Sequence, residues 1–318
     1  MKIPRLLSAL ILVLLFSGCA NIDMHIPDHD KSGIESSKII ILPVPENIGL
    51  QVYGNTTTGM GAIADLIAEL NLNSRLQDSD RPLSELHTLL EGDRSRRSVA
   101  ISISKNIQDM VWLKNSEVVI IEDVKGFNLS NEAQATEFEV IIVISPKYQL
   151  SPWLDMIETR TNIQFFYSNN IEKPFYSTLA ITQSRIIDMP WLNKGALFQS
   201  IIKPLEPSIE YWKKDNAQSL QQLIDLELED AARLISIAIE EAVIPNDDDR
   251  NLMKIEHENL SAQSSGLSLD GYSLPRYSTE ERVVIRRIPQ PLQYPIHAIN
   301  AIFSLPRDQK LQFIHNRH

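Results

Sequence analysis

Residues 138–145 read FEVIIVIS, residues 153–168 read WLDMIETRTNIQFFYS, and residues 174–187 read PFYSTLAITQSRII. In these runs apolar side chains alternate with polar ones or close into unbroken β-branched stretches, the period-two pattern of strands. Val140, Ile142 and Val143 in the first run, Ile163, Phe165 and Tyr167 in the second, and Leu179, Ile181 and Ile186 in the third supply the side chains to be buried. Asn169 and Asn170 stand between the last two runs, where asparagine tolerates the backbone of a tight reversal. The expectation is an antiparallel meander at the centre of the chain.

Upstream, residues 38–44 (KIIILPV) carry a continuous apolar run of strand length that ends at Pro43, which predicts a first central strand. Thr56, Thr57 and Thr58 offer N-caps for a helix over 59–71, with Ile63, Leu66, Ile67 and Leu70 at helical spacing. Pro82 opens a second helical stretch, PLSELHTLLEG, which Gly92 is expected to close; His87 falls within it as a surface or core-edge residue. Val99, Ile103, Ile107 and Val111 recur every four residues and predict a third helix over 94–111. Residues 116–122 (SEVVIIE) then read as a second buried strand.

Downstream, Ala196, Phe198, Ile201 and Ile202 suggest helix before Pro204. Residues 215–243 hold the strongest periodicity in the chain. Leu220, Leu223, Ile224, Ala231, Leu234, Ile235, Ala238 and Ala242 form one stripe, while Asp225, Glu227, Glu229, Asp230, Glu240 and Glu241 are assigned to the other faces. Such a helix packs on a sheet. Pro245 and the acidic Asp247, Asp248 and Asp249 stop it, and residues 255–270 read as loop. Residues 282–287 (RVVIRR) predict a short late strand, and 298–303 a helical piece.

These patterns predict an α/β or α+β fold, a mixed or antiparallel sheet with helices packed mainly on one face. The composition, 43% hydrophobic and 22% charged, is that of a globular chain. A formal charge of -11 argues against nucleic-acid binding, which rests on Lys and Arg contacts to phosphates. A single cysteine excludes an intramolecular disulfide, a CxxC pair and a multi-thiolate zinc site. The last stretch differs in sign. Residues 276–318 hold seven Lys or Arg against three acids, so this tail is expected to dock on its own acidic body or, alternatively, on an acidic partner or an anionic envelope surface.

Templates for chemistry fit poorly. The glycines Gly54 and Gly59 match a phosphate loop, but Met60 stands where the lysine must be and Gly61 where a hydroxyl must hold magnesium, so no nucleotide is expected. No GxSxG, HExxH or Glu-x-x-His occurs. His25, Asp28, His29 and Asp30 lie in a polar stretch read as solvated spacer, Glu256, His257 and Glu258 in a stretch read as solvated loop, and His315 and His318 at the chain end. Asp247–Asp249 lack the alternating ligands and glycine of a calcium loop. Neither metal nor cofactor nor catalytic residue is assigned. Trp112, Trp153, Trp191 and Trp212 would suit a sugar groove or an ordinary core equally.

The N-terminus is the most specific segment. Lys2 and Arg5 precede an apolar run from Leu6 to Phe16, too short to span a bilayer, followed by Ser17, Gly18 and the chain's one cysteine, Cys19. The stretch Leu15-Phe16-Ser17-Gly18-Cys19 resembles the lipobox of bacterial lipoproteins, with Phe16 at a place usually held by leucine. The resemblance implies cleavage before Cys19 and acylation of its thiol and new amino group. Ala20, rather than Asp, after the cysteine implies delivery to the outer membrane, with the body facing the periplasm. Two or more acyl chains make such an anchor effectively permanent.

The resulting organisation is a signal peptide over 1–18, a lipidated N-terminus and linker over 19–37, an α/β globular body over 38–245, and a loop with a basic, proline-containing tail over 246–318. The expected function is that of an outer-membrane lipoprotein acting as a non-catalytic accessory or scaffold in cell-envelope assembly or maintenance, with an envelope protein as partner and the membrane held through lipid. The alternatives are a periplasmic hydrolase of envelope polymers and an oligomeric transport or secretion subunit.

Overall fold

The computed structural model describes residues 26, 34–44, 49–50, 84–86, 88–90, 92–110, 113, 115–151, 154–184, 187, 206–243, 253–257, 271–278, 282–287, 300–306 and 311–315. The meander is its centre. Strands β4 (Val140–Leu150), β5 (Ile157–Tyr167) and β6 (Tyr176–Gln183) pair antiparallel, from Val140 opposite Tyr167 to Leu150 opposite Ile157, and from Phe165 opposite Tyr176 to Glu158 opposite Gln183. The reversal falls where the asparagines predict it, with Asn170 N–H donating to Tyr167 O.

Strand β1 (Ser37–Ile41) joins β4 in parallel, Ser37 opposite Val140, and its other edge takes β3 (Glu117–Ile120), also in parallel. β1 is thus hydrogen-bonded on both sides but stands one place from the end of the strand order, not at its centre. β3 is half-exposed where a buried strand was expected, because it is the last strand of that order. β2 (Gly49–Leu50) pairs with the far end of β4. Pro146 is tolerated inside β4 for a simple reason. Ile144 turns its carbonyl to β1, where Leu42 N–H donates to it, and Pro146 faces the same way two residues further on, past the end of β1.

On the other side of the meander, β10 (Ala301–Pro306) runs parallel to β6, with Ala301 opposite Leu179. The antiparallel strands β9 (Arg282–Arg287), β8 (Gly271–Ser278), β7 (Met253–His257) and β11 (Leu311–His315) follow outward, with a bulge in β8 between Pro275 and Tyr277. The sheet is mixed and the fold is α+β, as the sequence predicts. RVVIRR is the expected late strand. Residues 246–318 otherwise depart from the expected loop and tail, since they add strands to the same sheet. The helical reading of 298–303 is replaced by β10, whose six residues are all buried, and the loop reading of 255–270 gives way at 255–257 to β7. The first is a short apolar run in which periodicity alone cannot separate helix from a buried strand, and the second, Ile-Glu-His, is too short and polar to carry a strand pattern.

The long helices share one face. α1 (Gly92–Gln108) buries Val99, Ile103 and Ile107, and Gly92 opens this helix instead of closing the one before it, of which 84–86 and 88–89 are helical. After the short α2 (Leu129–Gln134) come α3 (Glu206–Lys213) and α4 (Gln218–Val243). α4 lies over β5, β6 and β10 and against α1. Of its predicted stripe, Leu220, Ile224, Leu234, Ile235, Ala238 and Ala242 join Val140, Ile142, Ile144, Ile163 and Phe165 of the sheet in one core, Ala231 is buried as well, and Leu223 is only partly buried against that core. Each fully buried Leu or Ile contributes about 1.5–3 kcal/mol. Asp215 caps the helix, accepting from the backbone N–H and the hydroxyl of Ser219. The opposite sheet face is covered locally by α2, where Ala133 packs on Ile40, Ile141, Val143 and Phe166, and Lys38 reaches Glu132 at 2.6 Å.

The stretch 19–37, expected as spacer, is fixed to the body at two described points. Ile26 is buried and its N–H donates to Ala242 O at 2.8 Å, and Ile34 is fully buried in the same core. The helices predicted over 59–71 and 193–203 lie outside the described residues, as does the acidic stop at 247–249.

Candidate functional site

Among the described residues, the charged side chains buried on the helix-bearing face of the sheet lie along one seam, between α4 and strands β6, β10 and β9. Alternation along RVVIRR puts Arg282, Val284 and Arg286 on that face. Val284 enters the core, while the two arginines meet acids of α4. Spacing on the helix explains the match. Glu227 and Glu241 fall in the apolar register of Leu220, Ile224, Ala231, Leu234 and Ala238, so both are directed at the sheet.

Arg282 is the hub of the first cluster. Its Nε lies 2.9 Å from Asp230 Oδ2 and donates to Ser304 Oγ at 3.1 Å. Nη1 donates to Gln183 O at 2.8 Å, and Nη2 to Glu227 Oε2 and Ser304 O, both at 3.4 Å. One guanidinium thereby ties α4, β6, β10 and its own strand. Thr182 donates to the backbone carbonyl of Glu227 and shares a short hydrogen bond with Thr159. Glu227, expected on a solvated face, is instead 5% exposed. Burial pushes its carboxyl up to about 7, against the pull of Arg282 and with the help of the nearby Asp230 charge.

Arg286 is the hub of the second cluster, one helical stretch further along. It is fully buried and donates from Nε to Glu241 Oε2 at 2.8 Å and from Nη1 to Asn300 Oδ1 at 2.6 Å. Asn300 Nδ2 in turn donates to the Tyr176 hydroxyl at 2.8 Å. The basic strand of the tail is therefore docked on the chain's own acidic helix, the first of the two expected outcomes for the charge asymmetry.

Among the described residues, two further carboxylates are buried elsewhere. Glu158, on the face away from α4, accepts from Gln149 Nε2 at 2.9 Å, Arg160 Nε at 2.5 Å and Gln183 Nε2 at 2.8 Å. Asp155 accepts from the Ser151 hydroxyl at 2.6 Å in the β4–β5 turn, and burial raises its pKa above the ordinary carboxylate value. Glu227, Glu241, Glu158 and Asp155 each accept a hydrogen bond from another residue of the chain. An acid–base catalyst must reach a substrate proton, whereas these groups fasten elements to one another.

The residues singled out in the sequence are scattered. Cys19 lies outside the described residues, as do His25, Asp28, His29, Asp30, Gly54, Met60, Gly61, Asp247, Asp248, Asp249, Glu258 and His318, and with them Trp112, Trp153 and Trp191. Trp212 is a core residue whose indole N–H donates to Leu154 O. Glu256 and His257 sit on β7, where loop was expected, and His315 sits on β11 opposite Met253 of β7. Among the described residues no three His, Cys, Asp or Glu side chains are grouped to hold a metal, and no helix is long and apolar enough to cross a membrane. The sequence carries a signal for the arginine clusters in two acids inside the apolar register of a helix and two arginines four apart on a strand.

No protein-family model matches the chain, and neither does any curated protein. Among solved structures the chain is similar to a PelC dodecamer from Paraburkholderia phytofirmans, at 10% identity and a TM-score of 0.19, over 63% of this chain and 90% of that one. A likeness at that level carries no argument.

Proposed function

We propose that the protein is a lipid-anchored component of the bacterial cell envelope, tethered through Cys19 to the outer membrane, with its α+β body in the periplasm acting as a non-catalytic accessory or scaffold. The observation that supports this reading is the N-terminal sequence. A basic start, a short apolar core, Ser17-Gly18 and the single cysteine of the chain occur together and in order. The body is consistent with a structural task, because Arg282 and Arg286 fasten strand β9 to acids of α4. A tethered body acts by local concentration, meeting partners confined to the same layer far more often than a free one would.

The test is metabolic labelling with palmitate, followed by crosslinking in cells. The wild-type chain takes up label and the Cys19→Ser variant does not, and the variant leaves the membrane fraction. A stoichiometric protein crosslinked to the wild type names the partner. Label retained in Cys19→Ser would end the anchor assignment.

A further inference from the structure

If Cys19 carries the lipid, its distance from the folded body decides which surface the membrane meets. Ile26, whose side chain is in the core and whose N–H is bonded to Ala242 O, is only seven residue steps beyond Cys19. At no more than about 3.6 Å per residue they reach at most about 25 Å. Ala242 is near the C-terminal end of α4, a helix of 26 residues and so about 39 Å long at 1.5 Å per residue. The tether is shorter than the helix whose last turn it is pinned to.

That end of the molecule is defined by several independent contacts. Glu241 meets Arg286, Arg286 meets Asn300, and Asn300 meets Tyr176 at the start of β6. Ser37 enters the sheet opposite Val140, and Val140 lies opposite Tyr167 at the end of β5. The β5–β6 hairpin, residues 168–175, therefore projects from the end at which the N-terminal chain enters. Its base carries half-buried rings, Tyr167 stacked on Phe175 with centroids 4.4 Å apart, and Ile171 is partly exposed on the other side. Tyrosine and phenylalanine at a polar–apolar boundary suit a headgroup layer.

We propose that this end, made of the 168–175 hairpin and the C-terminal turn of α4, is the membrane-facing surface of the protein, resting on zwitterionic lipid headgroups beside the anchor. The inference rests on the lipid-anchor reading above. Charge selects the lipid class. Glu137, Glu139 and Glu172 are exposed around the hairpin with Lys173 as the opposing charge, so anionic headgroups are not what this surface attracts. The acyl chains hold it there and salt does not release it.

The experiment uses the full lipidated protein in phosphatidylethanolamine–phosphatidylcholine vesicles containing a headgroup-linked energy acceptor. Because Cys19 is the only native cysteine and is acylated, a donor dye can be placed on one added thiol, at Asn169→Cys in the hairpin or at Gln218→Cys at the start of α4. Both positions are exposed. Transfer from position 169 is expected to exceed that from 218 severalfold and to persist in high salt. Equal transfer, or stronger transfer from 218, overturns the proposal. Flotation of the unlabelled protein with vesicles, against Cys19→Ser, is read first. If the wild type does not float, the anchor reading itself has failed, whereas flotation with the wrong end near the lipid removes only the orientation. Glu172→Cys and Gln222→Cys serve as a second pair should either first variant not fold.

Discussion

Trp212 of α3 donates its indole N–H to the carbonyl of Leu154, 2.8 Å away, and Leu154 holds a left-handed backbone with φ of 60°. Leu154 N–H is itself bonded to Ser151 O, and Ser151 N–H to Met156 O, so the β4–β5 turn is locked from inside and from the helix layer. A non-glycine residue in that conformation costs of order 1 kcal/mol, which the surrounding packing must offset. Trp212→Phe keeps most of the ring and leaves the buried carbonyl without this donor, so a loss of about 2 kcal/mol is expected in urea denaturation. Loss within experimental error would mean that the hydrogen bond contributes nothing to holding the turn.

Arg286 is the more demanding position. Its fork satisfies Glu241 and Asn300 from two different nitrogens. Arg286→Met leaves both partners without that donor in a closed site and should cost about 3 kcal/mol. Arg286→Lys supplies charge without the planar fork and should recover less than half of that loss. Thermal unfolding of the three proteins checks the order, and full rescue by lysine would reduce the site to simple charge pairing.

Glu227 makes stability depend on pH near neutrality. Its carboxyl is pushed up to about 7 in the folded chain against 4.5 when unfolded. Between those values the folded state holds more protons than the unfolded one, so this group makes the protein more stable as pH falls from 8 to 5. The difference is bounded at about 3 kcal/mol. Glu227→Gln removes the titration, so its denaturation midpoint should exceed that of the wild type at pH 8 and approach it at pH 5. A wild-type minus variant difference that does not change with pH would show that Glu227 stays charged throughout.

Ala20 gives the sorting expectation a direct readout. By the resemblance of residues 15–19 to a lipobox, Ala20→Asp should move the protein from the outer-membrane to the inner-membrane fraction of an enterobacterial host without altering palmitate uptake. An unchanged density-gradient profile would remove the sorting argument and leave the anchor untouched.

What could be read from the sequence follows from how local each signal is. The meander and α4 were legible because eleven-residue strands and a 26-residue helix repeat their pattern often enough to exclude other periods. β10 was not, since AIFSLP is buried on both faces and shows no alternation at all. The edge position of β3 was also hidden, because SEVVIIE has the composition of an interior strand and only the pairing order reveals which side stays open. Glu227 and Glu241 were misplaced by their chemistry: carboxylates were assigned to solvent although their spacing put them in the apolar register. Their partners, Arg282 and Arg286, are 55 and 45 residues away, a separation that no local pattern reports.

The parallel pairing of β6 with β10 also sets a schedule for folding. β4, β5 and β6 can zip together as soon as residue 183 is available, since their reversals are short. Leu179 must then wait for Ala301, and Thr178 for the carbonyl of Asn300, 122 residues later. Until that segment is synthesised, one long edge of the meander stands open beside an apolar face, the condition in which growing chains associate with one another. Closure over so large a loop is slow compared with hairpin formation. A chain truncated before residue 300 would therefore lack the strand that covers the β6 edge of the meander.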